Sequence, residues 1–229
     1  GGECSTSRES DMIRAVTQLA KLHTALRDCA PEIPEFMMTD RNDPSNVCQR
    51  HYRELIKVKN YVLARRSRNE FERSFLAQYE HYMGDAAEAI RLLDEEEIHS
   101  VKGLCHGDFN QHNVLRTTDG FRIVHYENMC YTMQVVDLAN FVRKMLEKNR
   151  WEKDLGMRLL EQYDKERAMC ADEKKLLYAM LLFPEKFWKV SNHYSNSRKT
   201  WVSERENAKL VRMSELEPAR RRLLESLLS

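Results

Sequence analysis

Residues 104–127 interrupt a chain that otherwise has the pattern of long amphipathic helices. Two short apolar runs, Asn113–Arg116 and Phe121–Tyr126, flank the tetrapeptide Thr117-Thr-Asp-Gly120. Asp-Gly between two such runs is a strong signal of a β-hairpin. Glycine and proline are scarce elsewhere, with 7 and 5 residues in the whole chain, which favours long helices. The sequence therefore predicts a mostly α, α+β protein with one small hairpin near its middle.

Apolar residues with a period of about 3.6 predict helices on both sides of the hairpin. Ser10 is the predicted N-cap of the first helix. Residues 30–45, with their prolines, aspartates and asparagine, predict a loop, and the acidic run Asp94–Glu97 is predicted to end the third helix. The predicted helices cover residues 10–29, 47–66 and 71–93 before the hairpin, and residues 135–147, 151–169, 172–182 and 204–228 after it.

One motif in the chain carries specific chemistry. His106, Asp108 and Asn113 form the pattern H-x-D-x-x-x-x-N, which is typical of the catalytic loop of kinase-type phosphotransferases. In such a loop Asp108 would accept the proton of the attacking hydroxyl, and the side-chain oxygen of Asn113 would bind magnesium. His106 would brace the loop backbone. The flanking apolar runs and the hairpin that follows argue against a chance match.

The segment after this loop departs from the pattern at its metal-binding position. Kinase-type enzymes use an aspartate there to hold the metal that bridges the nucleotide phosphates, and this chain has His125. Imidazole is a poor ligand for magnesium, which prefers oxygen. Because a metal clamp contributes several kcal/mol to the transition state, we expect a rate loss on the order of a hundredfold or more. Glu127 is predicted to lie on the same strand face and to replace the lost carboxylate in part.

The elements that cover ATP in such enzymes are not found in the sequence. It contains no G-x-G-x-x-G loop and no lysine in a V-A-x-K context. The first residues resemble the hinge of a bilobal kinase, so we expect the nucleotide-binding N-terminal lobe to be absent from this chain. The residues that would bind a nucleotide are unknown, and we expect ATP and Mg²⁺ as cofactors only if the protein is active, and none otherwise.

Composition excludes several other classes of protein. A formal net charge of +1 gives no support to nucleic-acid binding, and no apolar stretch approaches the roughly 20 residues of a membrane span. The N-terminal residues lack the features of a signal peptide, so we expect synthesis in the cytoplasm. Basic runs at Arg65–Arg68 and Arg220–Arg222 are interpreted as solvated helix surfaces.

The six cysteines show no CxxC pair, which predicts free thiols in a reducing compartment. A zinc site would need side chains of the right type at a suitable spacing. Five residues near the motif have suitable side chains, but their spacing fits no ligand pattern and we disfavour this interpretation: Cys105, His106, His112, His125 and Cys130.

The strings HGDFNQHN and VVDLANFVRKMLEKNRW resemble the spore coat protein S (CotS) family, relatives of aminoglycoside phosphotransferases found in endospore formers. Residues 53–61, 69–72, 183–188 and 192–194 are also similar to this family, so the likeness extends over nearly the whole chain. The resemblance implies the helical C-terminal lobe of a kinase-like fold of the aminoglycoside/choline-kinase type. It also implies that Asp137, in the triplet Asp-Leu-Ala, supports the catalytic loop. The implied single lobe comprises a first helix after the hinge at 10–29, a helical insertion at 47–97, the catalytic-loop region at 101–150 and C-terminal helices at 151–229.

Two hypotheses of function follow from these features. The first is a pseudokinase with a structural role in sporulation, made in the mother-cell cytoplasm, assembled on the spore coat and acting by binding other coat proteins. The second is an active ATP-dependent phosphotransferase that uses Asp108 as the base toward a small-molecule hydroxyl. Neither hypothesis includes a nucleic-acid or membrane partner, and the sequence names no substrate.

Overall fold

Helices dominate both sides of a small β region. The computed structural model describes residues 2–28, 33, 43–95, 102–197 and 202–228; of residues 28, 202 and 203 it gives the backbone alone. The strands are β1 (Gly2–Glu3), β2 (Gly103–Cys105), β3 (Val114–Thr117), β4 (Gly120–Ile123) and β5 (Cys130–Thr132), with a one-turn 3₁₀ helix (Tyr126–Asn128) before β5. The helices are α1 (Glu9–Asp28), α2 (Pro44–Leu63), α3 (Glu70–Leu93), α4 (Val135–Lys148), α5 (Lys153–Glu166), α6 (Ala171–Leu182), α7 (Glu185–Asn196) and α8 (Val202–Ser226).

The predicted hairpin is confirmed. β3 and β4 pair antiparallel, with Val114 opposite Ile123 and Thr117 opposite Gly120. Gly120 has a φ of 132°, which glycine adopts without the steric cost that a Cβ would bring. β1 pairs with the other edge of β3, and β2 pairs with β5 in a separate two-stranded sheet. Strands of two or three residues leave no periodic pattern in a sequence, which is why β1, β2 and β5 were not predicted.

Several helix boundaries differ from the prediction. α1 begins at Glu9, so Ser10 lies inside the helix and is not its N-cap. α2 begins three residues early, at Pro44, because Asp43 caps it by accepting from the backbone of Ser45 at 3.0 Å and proline suits the first helical turn. Most of the predicted loop at residues 30–45 lies outside the described residues, as do Glu96 and Glu97.

The prediction missed α7 entirely. This helix follows Pro184, has no side-chain cap at its start and buries only Phe187, Val190 and Ser191 along its length. A stripe this narrow gives a weak periodic signal. α7 nevertheless matters for the site, because it packs against α2 and α8 and carries two charged residues of the cavity described below.

Two apolar clusters hold the helices together. The larger cluster joins α1, α4, α5, α6, the end of α8 and the β3–β4 hairpin. The second cluster lies between α2, α3 and α7 and is rich in aromatic rings, with Phe75 stacked on Phe187 at 5.2 Å between ring centroids. α3 contributes to both clusters and therefore ties the hairpin side to the α2–α7 side. Among the described helices, none combines the length and apolar character of a membrane span.

Candidate functional site

The loop between β2 and β3 carries the predicted motif, and Asp137 in the first turn of α4 holds its start. The backbone N–H of His106 donates to Asp137 Oδ2 at 2.6 Å, and the N–H of Gly107 donates to Oδ1 at 3.1 Å. Asp137 is 3% exposed. Both oxygens of a buried carboxylate are thus used to fix two consecutive peptide groups, so the structure places Asp137 behind the loop.

Asp137 is itself held by a buried histidine from α1. His23 Nε2 lies 3.3 Å from Asp137 Oδ2, and His23 Nδ1 lies 2.6 Å from the hydroxyl of Tyr163. A carboxylate only accepts, so Nε2–H donates to Asp137 and the tyrosine hydroxyl donates to Nδ1. Burial lowers the pKa of His23, which keeps the ring neutral. Three elements, α1, α4 and α5, therefore converge on the base of the loop.

The imidazole of His106 ties the loop to the chain that follows the hairpin. This fully buried ring accepts from the backbone N–H of Asp108 at 3.2 Å through Nδ1 and donates to the carbonyl of Val124 at 3.0 Å through Nε2. Gly107 has a φ of 81°, and a Cβ there would lie 1.9 Å from the carbonyl oxygen of Asn128. Only glycine fits this close approach.

Asp108 and Asn113 are in direct contact. Asn113 Nδ2 donates to the carbonyl of Asp108 at 2.8 Å and to its Oδ2 at 3.1 Å. Asn110 Nδ2 donates to Asp108 Oδ1 at 2.9 Å. Two side-chain amides thus orient the solvent-exposed carboxylate, and the amide oxygen of Asn113 is the atom that would face a cation.

His125 and Glu127 form a second pair. The predicted shared strand face is wrong, because β4 ends at Ile123, His125 has left-handed backbone angles (φ 66°, ψ 65°) and Glu127 lies in the 3₁₀ helix. Their side chains still meet, with His125 Nδ1 3.2 Å from Glu127 Oε1, and both are largely exposed. The pKa of Glu127 is lowered by a backbone hydrogen bond and by His125, so it is ionised at neutral pH. Val124 links the two pairs, because its carbonyl accepts from His106 and its N–H donates to Asn113 at 3.0 Å.

A cavity of about 300 Å³ opens beside Asp108. Asp108 and Asn110 lie on one wall, and α4 and α7 provide another wall with Arg143, Lys144 and Lys189. Asn113, His125 and Glu127 are not among its lining residues. Sequence analysis missed the three cations because they lie far from the motif along the chain. One signal was available for Lys144, which follows Asp137 by seven residues and therefore shares its helical face.

Glu185, at the start of α7, organises the cationic wall. Its carboxylate lies 3.1 Å from Lys189 Nζ, 3.9 Å from Arg143 Nη1 and 3.2 Å from Nδ1 of His51. His51 stacks on Trp188 at 3.4 Å between ring centroids and is 5% exposed. Burial lowers the pKa of His51 to about 4, so the neutral ring donates to Glu185 and adds no charge to the wall.

This buried histidine predicts a loss of stability in acid. The unfolded chain takes up a proton near pH 6.5, whereas the folded protein resists protonation of His51 until about pH 4. The free energy of unfolding should therefore fall by up to about 3 kcal/mol between these limits from His51 alone. Urea unfolding near pH 7 and near pH 4 should show a smaller loss for His51→Gln than for the unaltered protein. An equal loss in His51→Gln and in the unaltered protein would contradict this assignment. The pKa of His23 is lowered in the same direction, so His23 contributes to the loss that remains in the variant.

Among the described residues, one cluster of side chains that could bind a metal ion lies outside the motif loop. It consists of His81, Asp85 and Glu217. Arg220 donates to Asp85 and Glu217 at 2.9 Å each, and Arg221 donates to both carboxylates as well. The arginines already compensate this charge, so the cluster is an ion-pair network. The prediction that residues 220–222 form a solvated surface is wrong for Arg220, which is 6% exposed.

The described cysteines are free thiols, as predicted, and Cys29 lies outside the described residues. Cys105 on β2 and Cys130 on β5 lie opposite each other in the strand register, and both are free thiols. Burial raises the pKa of the Cys105 thiol well above its usual range, so it stays protonated and is a poor metal ligand. Among the described residues, the five side chains considered for a zinc site do not form a cluster that could hold a metal ion. These are Cys105, His106, His112, His125 and Cys130.

Comparisons with known proteins agree on the fold. A family model described as spore coat putative kinase YutH matches residues 3–227. An aminoglycoside phosphotransferase from Alicyclobacillus acidocaldarius is similar at 20% identity and a TM-score of 0.84, over 99% of this chain and 68% of that one. A choline kinase from Cryptosporidium parvum is similar at 15% identity and a TM-score of 0.50, over 100% of this chain and 73% of that one. No curated protein sequence matches the chain. At these identities the solved structures confirm the predicted kinase-like fold and nothing further.

Proposed function

The chain belongs to the family of spore coat putative kinases of the YutH type, and from that premise we propose that it is a pseudokinase of sporulation that binds partners and has lost efficient phosphotransfer. The premise bears out the predicted resemblance to spore-coat relatives of aminoglycoside phosphotransferases. The proposal itself is supported by one observation, which is that His125 is exposed and has left-handed backbone angles. In the predicted motif this residue stands where a kinase-type site needs an aspartate.

Half of a phosphotransfer site is retained in this molecule. Asp108 is oriented by Asn110 and Asn113, and its loop is fixed by Asp137 and His106. These residues would position an acceptor hydroxyl. They would not neutralise the charge that builds up on the transferred phosphoryl group, which is the task of the metal. Loss of the metal ligand would therefore leave a site that positions an acceptor but transfers a phosphoryl group inefficiently.

The family description supports a place on the spore coat. We infer synthesis in the mother-cell cytoplasm followed by assembly with other coat proteins, which would be the binding partners of a protein that has lost catalysis. In such a protein the retained motif loop maintains the structure of a ligand cavity and of the protein surface around it.

One observation favours a second candidate function, an active phosphotransferase with an altered metal site. Glu127 supplies an ionised carboxylate 3.2 Å from the ring of His125. If Glu127 and Asn113 together held Mg²⁺, ATP-dependent transfer to a small-molecule hydroxyl would proceed with Asp108 as the base, at a reduced rate.

The two candidates are separated by titrating the full-length protein with ATP and Mg²⁺. The proposed function predicts no Mg²⁺-dependent thermal shift that requires Asp108, and no ADP release with hydroxyl compounds above that of Asp108→Asn. Asp119→Asn, in the exposed hairpin turn, is the matched control for loss of a surface carboxylate. ADP release that disappears in Asp108→Asn and persists in Asp119→Asn would refute the pseudokinase proposal in favour of the enzyme.

A further inference from the structure

We propose that Cys105 and Cys130 form a disulfide when the folded protein meets a small-molecule disulfide, and that the new bond braces the motif loop. Both residues are free thiols in the structure. The inference concerns a modification site beside Asp108. It goes beyond the proposed function, because it needs neither a nucleotide nor phosphotransfer.

The strand register places the two thiols side by side. Cys105 ends β2, Cys130 begins β5, and the two residues are directly opposite each other in this antiparallel pair. Opposite residues of an antiparallel pair have Cα atoms roughly 4.5 to 5.5 Å apart and side chains on the same face of the sheet. A disulfide joins residues whose Cα atoms are about 4.4 to 6.8 Å apart, so the backbone is already placed for this bond.

The surroundings of the Cys105 thiol agree with this proximity. Burial and the carboxylate of Asp137 raise the pKa of Cys105, and Cys130 raises it further, because a second thiolate nearby would repel the first. The thiol donates to the carbonyls of Thr132 at 3.6 Å and of Gly103 at 3.7 Å. Thiols are weak donors, so these contacts give little resistance to a rotation about χ1 that turns the sulfur of Cys105 toward Cys130.

The cavity beside Asp108 gives an oxidant access to the pair. Cys105 and Cys130 both line this cavity of about 300 Å³. Cys130 is 7% exposed and Cys105 is 1% exposed, so the reagent meets Cys130 first. Cys48 also lines the cavity, but it is on α2 and therefore outside the β2–β5 register. The chain thus contains a matched control, a buried thiol of the same cavity without a cross-strand neighbour.

The reaction is a thiol–disulfide exchange in two steps. Cys130 loses its proton and its sulfur attacks one sulfur of the small disulfide; a mixed disulfide forms, and the small thiolate that leaves takes up a proton. The sulfur of Cys105, after losing its own proton, then attacks the sulfur of Cys130 and releases the second small thiol. The two cysteines lose two electrons and two protons, and the reagent gains both. Because little of Cys105 is deprotonated, the second step should be slow.

The disulfide would close a covalent ring around the functional segment. Cys105 directly precedes His106, and Cys130 follows the turn that begins at His125. The ring over residues 105–130 thus contains the motif loop, the hairpin of β3 and β4 and this turn. A cross-link over a ring of this length restricts the unfolded chain, so the oxidised protein should unfold at a temperature about 5 °C or more above that of the reduced protein.

The test is oxidation of the reduced full-length protein with excess 2-hydroxyethyl disulfide, followed by alkylation of the remaining thiols, digestion with trypsin and mass spectrometry without reduction. Trypsin places the two cysteines on separate peptides, 103–116 and 123–143, each with a single cysteine. We expect these peptides to be joined, with a mass two hydrogens below their sum, and to separate on reduction. Cys170 is exposed, so its reaction shows that the oxidant was active.

Two variants and an unfolded sample serve as controls. Cys48→Ser should keep the joined peptides and the gain in unfolding temperature. Cys130→Ser should lose both, because Cys105 then faces a serine across the strands. Oxidation of the unaltered chain in denaturing urea should give mixed pairings, since the preference comes from the β2–β5 register.

The inference is overturned if Cys105 and Cys130 stay open to alkylation, or carry the reagent separately, while Cys170 has reacted. It is also overturned if either cysteine is joined to Cys48. Joined peptides without a rise in the unfolding temperature would refute the bracing of the motif loop. The peptide map uses the unaltered chain and therefore does not depend on how a variant folds, and because no step involves ATP, each of these results leaves the pseudokinase proposal untouched.

Discussion

Asp137→Ala should lower the free energy of unfolding by about 3–5 kcal/mol, as expected when one partner of a buried charged network is removed. The substitution leaves the N–H groups of His106 and Gly107 and the ring N–H of His23 without their acceptor. His106 and His23 are fully buried, so water compensates the loss of their acceptor poorly. The start of the motif loop would lose its anchor, and Asp108 would lose its fixed position with it.

Chemical denaturation of Asp137→Ala and Asp137→Asn, with Asp154→Ala as the control, measures this effect. Asp154 is also an aspartate in the first turn of a helix, but it is exposed, so its loss should cost no more than about 1 kcal/mol. Asp137→Asn keeps one acceptor oxygen and should fall between the other two variants. If Asp137→Ala and Asp154→Ala cost the same, the anchoring role of Asp137 is wrong.

The motif region was predictable because its chemistry is local. The H-x-D-x-x-x-x-N spacing places Asp108 and Asn113 on one short loop, and Asp-Gly after Thr117 closes the hairpin that follows; the structure has both features. Asp137 was inferred from family resemblance, and its contact with the loop crosses 30 residues of sequence. No periodicity or turn signal could have given that contact.

The cavity wall could not be predicted for the same reason. Lys189 reaches the site only because α7 packs on α2, and α7 itself gives too weak an apolar stripe to be recognised. The interpretation of residues 220–222 as a solvated surface failed for a related reason. It considered only the charge of the run, whereas tertiary packing buries the side chain of Arg220 against Asp85. A run of charged residues predicts exposed side chains only where no oppositely charged side chain of a neighbouring helix packs against it.

The backbone at residue 125 is a further feature that sequence reasoning did not find. A strand was expected to continue through Glu127, whereas the chain turns left-handed at His125 and enters a one-turn helix. A left-handed φ is uncommon for a residue with a side chain, and Asn, Asp and His adopt it several-fold more often than others. The local backbone thus accepts the histidine that is present and would accept an aspartate equally well.

His125→Asp should strengthen Mg²⁺-dependent nucleotide binding by the full-length protein by about tenfold or more, the effect of one added charged ligand, if the missing carboxylate is the defect of this site. The new carboxylate would lie beside the ionised Glu127, and two adjacent carboxylates repel each other until a cation binds between them. Without metal, the variant should accordingly be slightly less stable than the unaltered protein; with Mg²⁺ it should be more stable.

His125→Asn is the matched control, because asparagine accepts the same left-handed backbone and lacks the charge. Thermal-shift titrations with Mg²⁺, with ATP and with both should separate the two variants: a joint response in His125→Asp, and little or none in His125→Asn. Adding Glu127→Gln to His125→Asp should remove part of the gain if both carboxylates hold the ion. Equal responses of the aspartate and asparagine variants would show that charge at position 125 is not what this site lacks, and the degenerate metal site would no longer explain a loss of catalysis.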